Sequence, residues 1–381
     1  MKIVVAPDSF KGSLSAQAVC KSVKRGIHTV FPDAEVVELP LADGGEGIME
    51  SMVYASHGNI IKTDVHDPLK RKIEAGFGLL GDGETAIIEM AQASGLTLLE
   101  EEEKNPLAAS SFGTGELIRA ALDAGCRKFI IGIGGSATND AGAGMLKALG
   151  MKFYDKDGVE LEEGGEALFR LASIDDSGMD RRIQEAHFVV ASDVRNRLCG
   201  SAGASAVFGP QKGATPEMVR TLDAALHHFA DIVLRDQNVD LRIFEGGGAA
   251  GGMGAALIAF LKAELHSGIE LVMENINFAD QIKEADLIIT GEGRLDSQTL
   301  DGKLITGITK AAAKEGVPVI ALCGSQNLSA EQVSEIGLLS AFSIVSGPCT
   351  VKQAMENADR LATEKTIAVM NVFKIFTDHR S

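Results

Sequence analysis

Residues 127–150, RKFIIGIGGSATNDAGAGMLKALG, set how the rest of the chain is read. An apolar run, 129–133, stops at glycines. Small hydroxyl residues and the Asn139–Asp140 pair follow, and a second apolar stretch, 145–149, ends at Gly150. The spacing predicts a buried strand, a glycine-rich turn and a helix. Such a turn aims backbone N–H groups and a helix N-terminus at an anion, commonly a phosphate. The hexad Gly132-Ile133-Gly134-Gly135-Ser136-Ala137 also matches G-x-G-x-x-[GA], the dinucleotide fingerprint, and Asp155 lies 18 positions past Ala137, near where a ribose partner belongs. Against this, Asp155 sits in an apparent turn, YDKDG, and short glycine patterns recur in a chain with 43 Gly. A tight turn without a ligand is the plain alternative.

Outward from this stretch, both ends of the chain alternate β and α. Residues 2–6, KIVVA, read as a parallel strand buried on both faces. A helix follows, with Ser13 or Ser15 as its N-cap, then a second strand at 35–39. From residue 286 the alternation returns, with strands at 287–290, 318–323 and 341–345 and helices near 304–315, 329–336 and 351–370. The middle has another rhythm. Runs at 60–65, 73–79 and 85–90 read as antiparallel strands parted by DPLK and GDGE. A helix begins at Thr114 and ends at Gly125, residues 188–191 form a buried strand, and 216–235 and 253–266 have helical periodicity. One α/β domain built from both termini with a second domain inserted is the economical arrangement; two consecutive domains broken near residue 200 also fit.

The composition agrees. At 381 residues the chain fits two or three domains, and 45% hydrophobic content with 43 Gly, no Trp and 2 Tyr suits tight βα turns. A net charge of −17 with no Lys/Arg stripe argues against nucleic-acid binding, though not against a small anion. Five scattered cysteines without a CxxC pair suit a reducing compartment and buried thiols. The apolar N-terminal run is too short for a signal peptide, and no run reaches membrane-spanning length. A soluble, cytoplasmic protein is expected, and a homo-oligomer is compatible with the sequence.

Polar residues gather after the strands. Asp8-Ser9-Phe10-Lys11 follows the first, where ligands of parallel sheets bind. Lys11 offers a point charge for phosphate or carboxylate, and Asp8 a ligand for Mg2+ or a proton acceptor; otherwise Asp8 caps the next turn and Lys11 is solvated. Asp43-Gly44-Gly45-Glu46-Gly47 follows the second and combines bare backbone donors with carboxylates suited to a hard cation, or to a helix cap. Asp193 is a lone acid after the strand ending at Ala191. Phe208-Gly209-Pro210-Gln211-Lys212-Gly213 places a lysine in a tight turn, and the glycines of 246–254 precede a helix. Gly291-Glu292-Gly293-Arg294-Leu295-Asp296 follows another strand. There is no Walker A loop, no GxSxG elbow, no Cys beside a His and no HExxH, and His227–His228 fall on a helix read as surface. Carboxylates, lysines and glycine loops suit phosphoryl transfer to a small acidic or hydroxylated substrate.

Taken together, APDSFKGSLSA (6–16), ADGGEG (42–47), IGIGGSATND (131–140), FGPQKGA (208–214), GAAGGMGAAL (248–257) and GEGRLDSQ (291–298) resemble the bacterial glycerate kinase family, in that family's order and over nearly the whole chain. One departure is Ala141 in NDAGAG, where glycine is expected. The resemblance implies phosphorylation of D-glycerate at its 2-hydroxyl with ATP and Mg2+. It implies two unlike α/β domains with the active site in the cleft between them: a doubly wound parallel-sheet domain from 1–60 plus 284–381, and a mixed α/β domain, 61–283, inserted into it.

Roles on that reading are expectations. Gly134, Gly135, Ser136 and Thr138 cradle phosphates or the glycerate carboxylate, with Asp8, Ser9, Asn139, Lys212, Gly251 and Gly252 completing the binding set. Lys11 and Arg294 stabilise charge. Asp43, Glu46 or Glu292 holds Mg2+. Asp193 or Asp296 orients the 2-hydroxyl and accepts its proton. The competing readings are an NAD-dependent dehydrogenase of a small hydroxy acid, a non-catalytic sugar-acid binding module, and a glycerate kinase that forms 3-phosphoglycerate.

Overall fold

The computed structural model describes residues 1–42, 47–296, 299 and 303–378. The chain divides into two compact units, Met1–Asp43 with Ile269–Ser381, and Gly44–Gly268.

The first unit is built on a five-stranded, wholly parallel sheet in the order Ser340–Ser343, Val319–Cys323, Leu287–Gly291, Lys2–Pro7, Glu35–Glu38. Its middle strands, KIVVAP, LIITG and VIALC, are apolar almost throughout because both faces are covered. One cover is a helix pair. Ala16–Val30, capped by the Ser15 hydroxyl on Ala18 N–H (3.3 Å), packs beside Ala358–Asp378, with Val19, Val23, Ile27, Ala362 and Met370 in one core cluster. A Cβ at Gly26 would stand 2.6 Å from Thr366 Cβ, so the close approach of these helices requires glycine there. The chain moves outward from the first strand to its partner at 35–38, then returns on the other side at 287–291. The strand order therefore reverses between Lys2–Pro7 and Leu287–Gly291, the switch point where doubly wound sheets open a ligand crevice.

The second unit carries a six-stranded mixed sheet in the order Glu264–His266, His187–Ala191, Lys128–Gly132, Thr85–Glu89, Lys72–Leu79, Asn59–His66. The last two strands run antiparallel, with Thr85–Glu89 antiparallel to its neighbour on one side and parallel on the other. The remaining pairs are parallel. Neighbours follow chain order throughout, so this sheet has no switch point. Its core includes the stacked rings Phe129 and Phe188, with centroids 4.6 Å apart.

Two helical expectations need correction. The helix expected over 253–266 spans Met253–Leu261. Lys262, at φ +56°, ends it in the left-handed region, and Glu264–His266 instead adds a short edge strand to the sheet. The helix expected over 351–370 is two, Val351–Glu356 and Ala358–Asp378, broken at Asn357. The thiols are not uniformly buried: Cys20, Cys126 and Cys323 are, while Cys199 is half-buried and Cys349 exposed. Among the described residues, no helix is long and apolar enough to cross a membrane.

Candidate active site

In the first unit, the strands flanking the switch point end at Pro7 and Gly291, which are in register. Asp8 and Glu292 are therefore the first residues past the sheet on either side, and Asp8 N–H donates to Gly291 O at 2.8 Å. Asp8 is buried and its Oδ1 accepts the Ser9 N–H at 2.6 Å. The GEGRLD segment is held by a second short parallel pair, Arg294–Leu295 with Ser325–Gln326. Thr299 donates its hydroxyl to Glu292 Oε1 at 2.7 Å and accepts the Asp296 N–H at 3.2 Å. Burial, and then the charges of Asp8 and Asp296, push the Glu292 carboxyl up to about 7, with Thr299 and Lys11 pulling the other way. Arg294 is exposed, its Nε 3.7 Å from Asp296 Oδ2. Asp43 and Glu46 lie outside the described residues.

In the second unit, the carboxyl ends of Thr85–Glu89, Lys128–Gly132 and His187–Ala191 lie side by side, Glu89 opposite Gly132 and Gly132 opposite Ala191. Asp193 follows the third of these strands, half-buried, as its sequence position implies. The residues after Gly132 do not form a dinucleotide turn. Gly135 O accepts Leu96 N–H (2.8 Å) and Ala137 N–H donates to Ser94 O (2.9 Å), so the chain is tied to a neighbouring segment instead of entering a helix. The helix begins only at Ala143. Its N-terminal N–H groups do meet an anion, but the chain's own. Asp140 accepts Gly142 N–H (3.1 Å), Gly144 N–H (3.2 Å), Ser111 N–H (2.9 Å) and the Ser111 hydroxyl (2.7 Å). Asp155 is taken up in its own turn, accepting Asp157 and Val159 N–H. The geometry that the NAD reading requires is therefore missing.

Around Asp140 lies a wholly buried polar cluster. Lys212, in the turn Pro210–Lys212, donates from Nζ to Ser136 Oγ (2.8 Å) and Thr138 O (2.6 Å). Burial pushes this ammonium down to about 7, partly offset by Asp140, and burial pushes the Asp140 carboxyl up. Asn139 Nδ2 donates to Ser205 Oγ at 3.0 Å. Thr138 Oγ1 and Asn139 Oδ1 are buried without a hydrogen-bond partner, a costly state for polar atoms inside a protein. Gly251 and Gly252 pack against this loop. A Cβ on Gly251 would lie 2.1 Å from Thr138 O, and Ala141 N–H donates to Gly251 O at 3.0 Å. Gly134 and Gly135 are exposed. Ala141 has φ +51°, which explains why glycine is expected there.

The structure thus brings Ser136, Thr138, Asn139 and Lys212 into one cluster, and Asp8, Glu292, Asp296 and Lys11 into one electrostatic group. Sequence reasoning missed Asp140 as an organiser, its partner Ser111, and Thr299. It also missed Glu89, whose buried carboxylate accepts Met49 N–H at 2.8 Å and so holds the helix Ile48–Ala55 at its first turn. An acid ending a fully buried strand was the available signal for Glu89.

The glycerate kinase family model matches residues 3–374. A glycerate kinase of Bacillus subtilis (strain 168) is 51% identical over 358 residues, covering 94% of each chain. The glycerate 2-kinase of Escherichia coli (strain K12) is 48% identical over 358 residues, again 94% of each. The crystal structure of a glycerate kinase 2 candidate from Salmonella typhimurium LT2 superposes with a TM-score of 0.90 at 48% identity, covering 99% of both chains. With a matching model over nearly its full length and relatives of this similarity, the chain belongs to the glycerate kinase family.

Proposed function

We propose that this chain transfers the γ-phosphoryl group of ATP to the 2-hydroxyl of D-glycerate, giving 2-phosphoglycerate and ADP, in the cytoplasm. Within a glycerate kinase family chain, the observation that carries this reading is the acid group at the switch point of the first sheet. Burial raises Glu292, and the neighbouring charges of Asp8 and Asp296 add to the rise, which is the state of a carboxylate set that a dication would relieve. Those donors fit Mg2+, which when bound supplies charge neutralisation at the phosphoryl oxygens.

In this proposal the substrate 2-hydroxyl oxygen attacks the γ-phosphorus, the bond to the β–γ bridging oxygen breaks with its electron pair leaving on ADP, and the hydroxyl proton passes to a carboxylate. Asp193 is our choice for that base, with Asp296 the other candidate. Lys11 and Arg294 balance charge spread over the transferred group. The loop Gly134–Asn139 offers an anion its exposed glycines, Gly134 and Gly135, while the buried Ser136, Thr138 and Asn139 hold the loop from beneath. The name of the Escherichia coli relative favours the 2-hydroxyl over the 3-hydroxyl. Incubation with Mg-ATP and D-glycerate should release ADP in proportion to glycerate consumed. No ADP release with any small hydroxy acid would end this reading.

A further inference from the structure

One side-chain group stands apart from both polar sites. Cys199, Asp223 and His227 place a sulfur, a carboxylate oxygen and an imidazole nitrogen all within 4.8 Å of one another. Asp223 and His227 are four residues apart on the helix Pro216–Gln237 and share a face; Cys199 comes from the loop before the helix Ala204–Phe208. No local sequence spacing joins them, which is why the histidines showed no ligand pattern.

We propose that Cys199, Asp223 and His227 form a binding site for a thiophilic divalent cation of the zinc class. The carboxylate is already oriented: Gly200 N–H donates to Asp223 Oδ1 at 2.8 Å, leaving Oδ2 to face His227 Nε2 at 3.8 Å. That separation is too long for a hydrogen bond. It is close to the roughly 3.3–3.7 Å between ligand atoms that zinc bond lengths of about 2.0–2.3 Å imply in a tetrahedron. A surface ion pair between Asp223 and His227 accounts for those two residues but not for a thiol converging on the same point. The surrounding charge is negative. Asp223, Asp231 and Asp240 act on the sulfur, and the nearby Arg242 is engaged with Asp231 (2.6 Å) and Asp240 (2.7 Å). His227 is exposed and gives an approach from solvent. A thiolate, an imidazole and a carboxylate select zinc-like ions over Mg2+, which demands oxygen ligands.

On binding, the Cys199 S–H proton passes to solvent, a sulfur–metal bond forms, and nothing is oxidised or reduced. The ion would tie the long helix to the 199–203 loop. That loop leads into Ser205, which holds Asn139 in the buried cluster.

The test uses the full chain, stripped with a chelator and titrated with Co2+. A near-ultraviolet sulfur-to-cobalt charge-transfer band should saturate at one equivalent, bleach on adding Zn2+ and ignore Mg2+. Zn2+ should raise the melting temperature of the wild type by mass action and leave that of Cys199→Ser unchanged. Cys199→Ser should abolish the band, and His227→Ala, a change at an exposed position, should weaken Co2+ binding about tenfold or more. If Cys199→Ser does not fold, His227→Ala carries the test. Absence of the band, its survival in Cys199→Ser, or undiminished affinity in His227→Ala would overturn the proposal.

Discussion

Asp8 and Glu292 reach the same edge because two strands run side by side and their order reverses there. Asp140 and Lys212 belong to one cluster because several loops fold onto one another: Ser111 lies 29 residues from Asp140, and Thr138 and Ser136 lie 74 and 76 residues from Lys212. The first group is only partly covered and sets acids beside one another; the second is buried, with Asp140 and Lys212 hydrogen-bonded inside it and Thr138 Oγ1 and Asn139 Oδ1 left without partners. The difference assigns unlike work to them. A partly covered acid group can change its charge when a cation or proton arrives, at little cost to the fold. A sealed network cannot change a member without losing its own geometry.

Asp140→Ala breaks the sealed side of that comparison most severely. It leaves the two Ser111 donors and the Gly142 and Gly144 N–H groups without their acceptor, and Lys212 without its counter-charge. A loss of about 3–5 kcal/mol is expected, read as a lower urea midpoint at unchanged slope. A midpoint unchanged by this substitution would remove the contrast between the two groups. Asp193→Ala should instead cut turnover about 10²–10⁴-fold, equivalent to about 3–5 kcal/mol in the barrier, with the midpoint unmoved. Near-normal turnover would take Asp193 out of the site.

The acid group should show itself through pH. Glu292 binds its proton more tightly in the folded chain than an ordinary glutamate, whose value is 4.5. Protonation therefore favours the fold: the contribution is full below 4.5 and is lost as pH rises through about 7. Metal-free melts should decline across this window by on the order of 1–3 kcal/mol. Mg2+ or Glu292→Gln should flatten the decline, and a flat wild-type profile without metal would contradict the electrostatics drawn here. The smallest effect belongs to Ala141→Gly. Relief of the left-handed backbone, about 1–2 kcal/mol, is offset by a lost buried methyl at about 0.8 kcal/mol and greater unfolded-state freedom at about 0.4–1 kcal/mol. A change under about 1 kcal/mol is expected in the same urea titration.

The same contrast explains what could be read from sequence. The central strands of the first sheet are parallel and buried on both faces, so KIVVA and LIIT appear as unbroken apolar runs and the residues after them are marked as crevice residues. The α/β character, and Ser15 as the first cap, follow from such local rules. The sealed cluster does not. GIGGSA imitates a dinucleotide turn locally, while long-range bonds to Ser94 and Leu96 decide its path. Lys212 reads as a loop lysine, although Ser136 and Thr138 draw it fully inside. The edge strand Glu264–His266 is three residues long, too short to interrupt a helical pattern in sequence.

The most direct test of the account is the position of the phosphate on the product formed from D-glycerate and Mg-ATP. Phosphorus–proton coupling should split the product resonance into a doublet, from the single proton on carbon 2. A triplet, from the two protons on carbon 3, would contradict the assignment to the 2-hydroxyl.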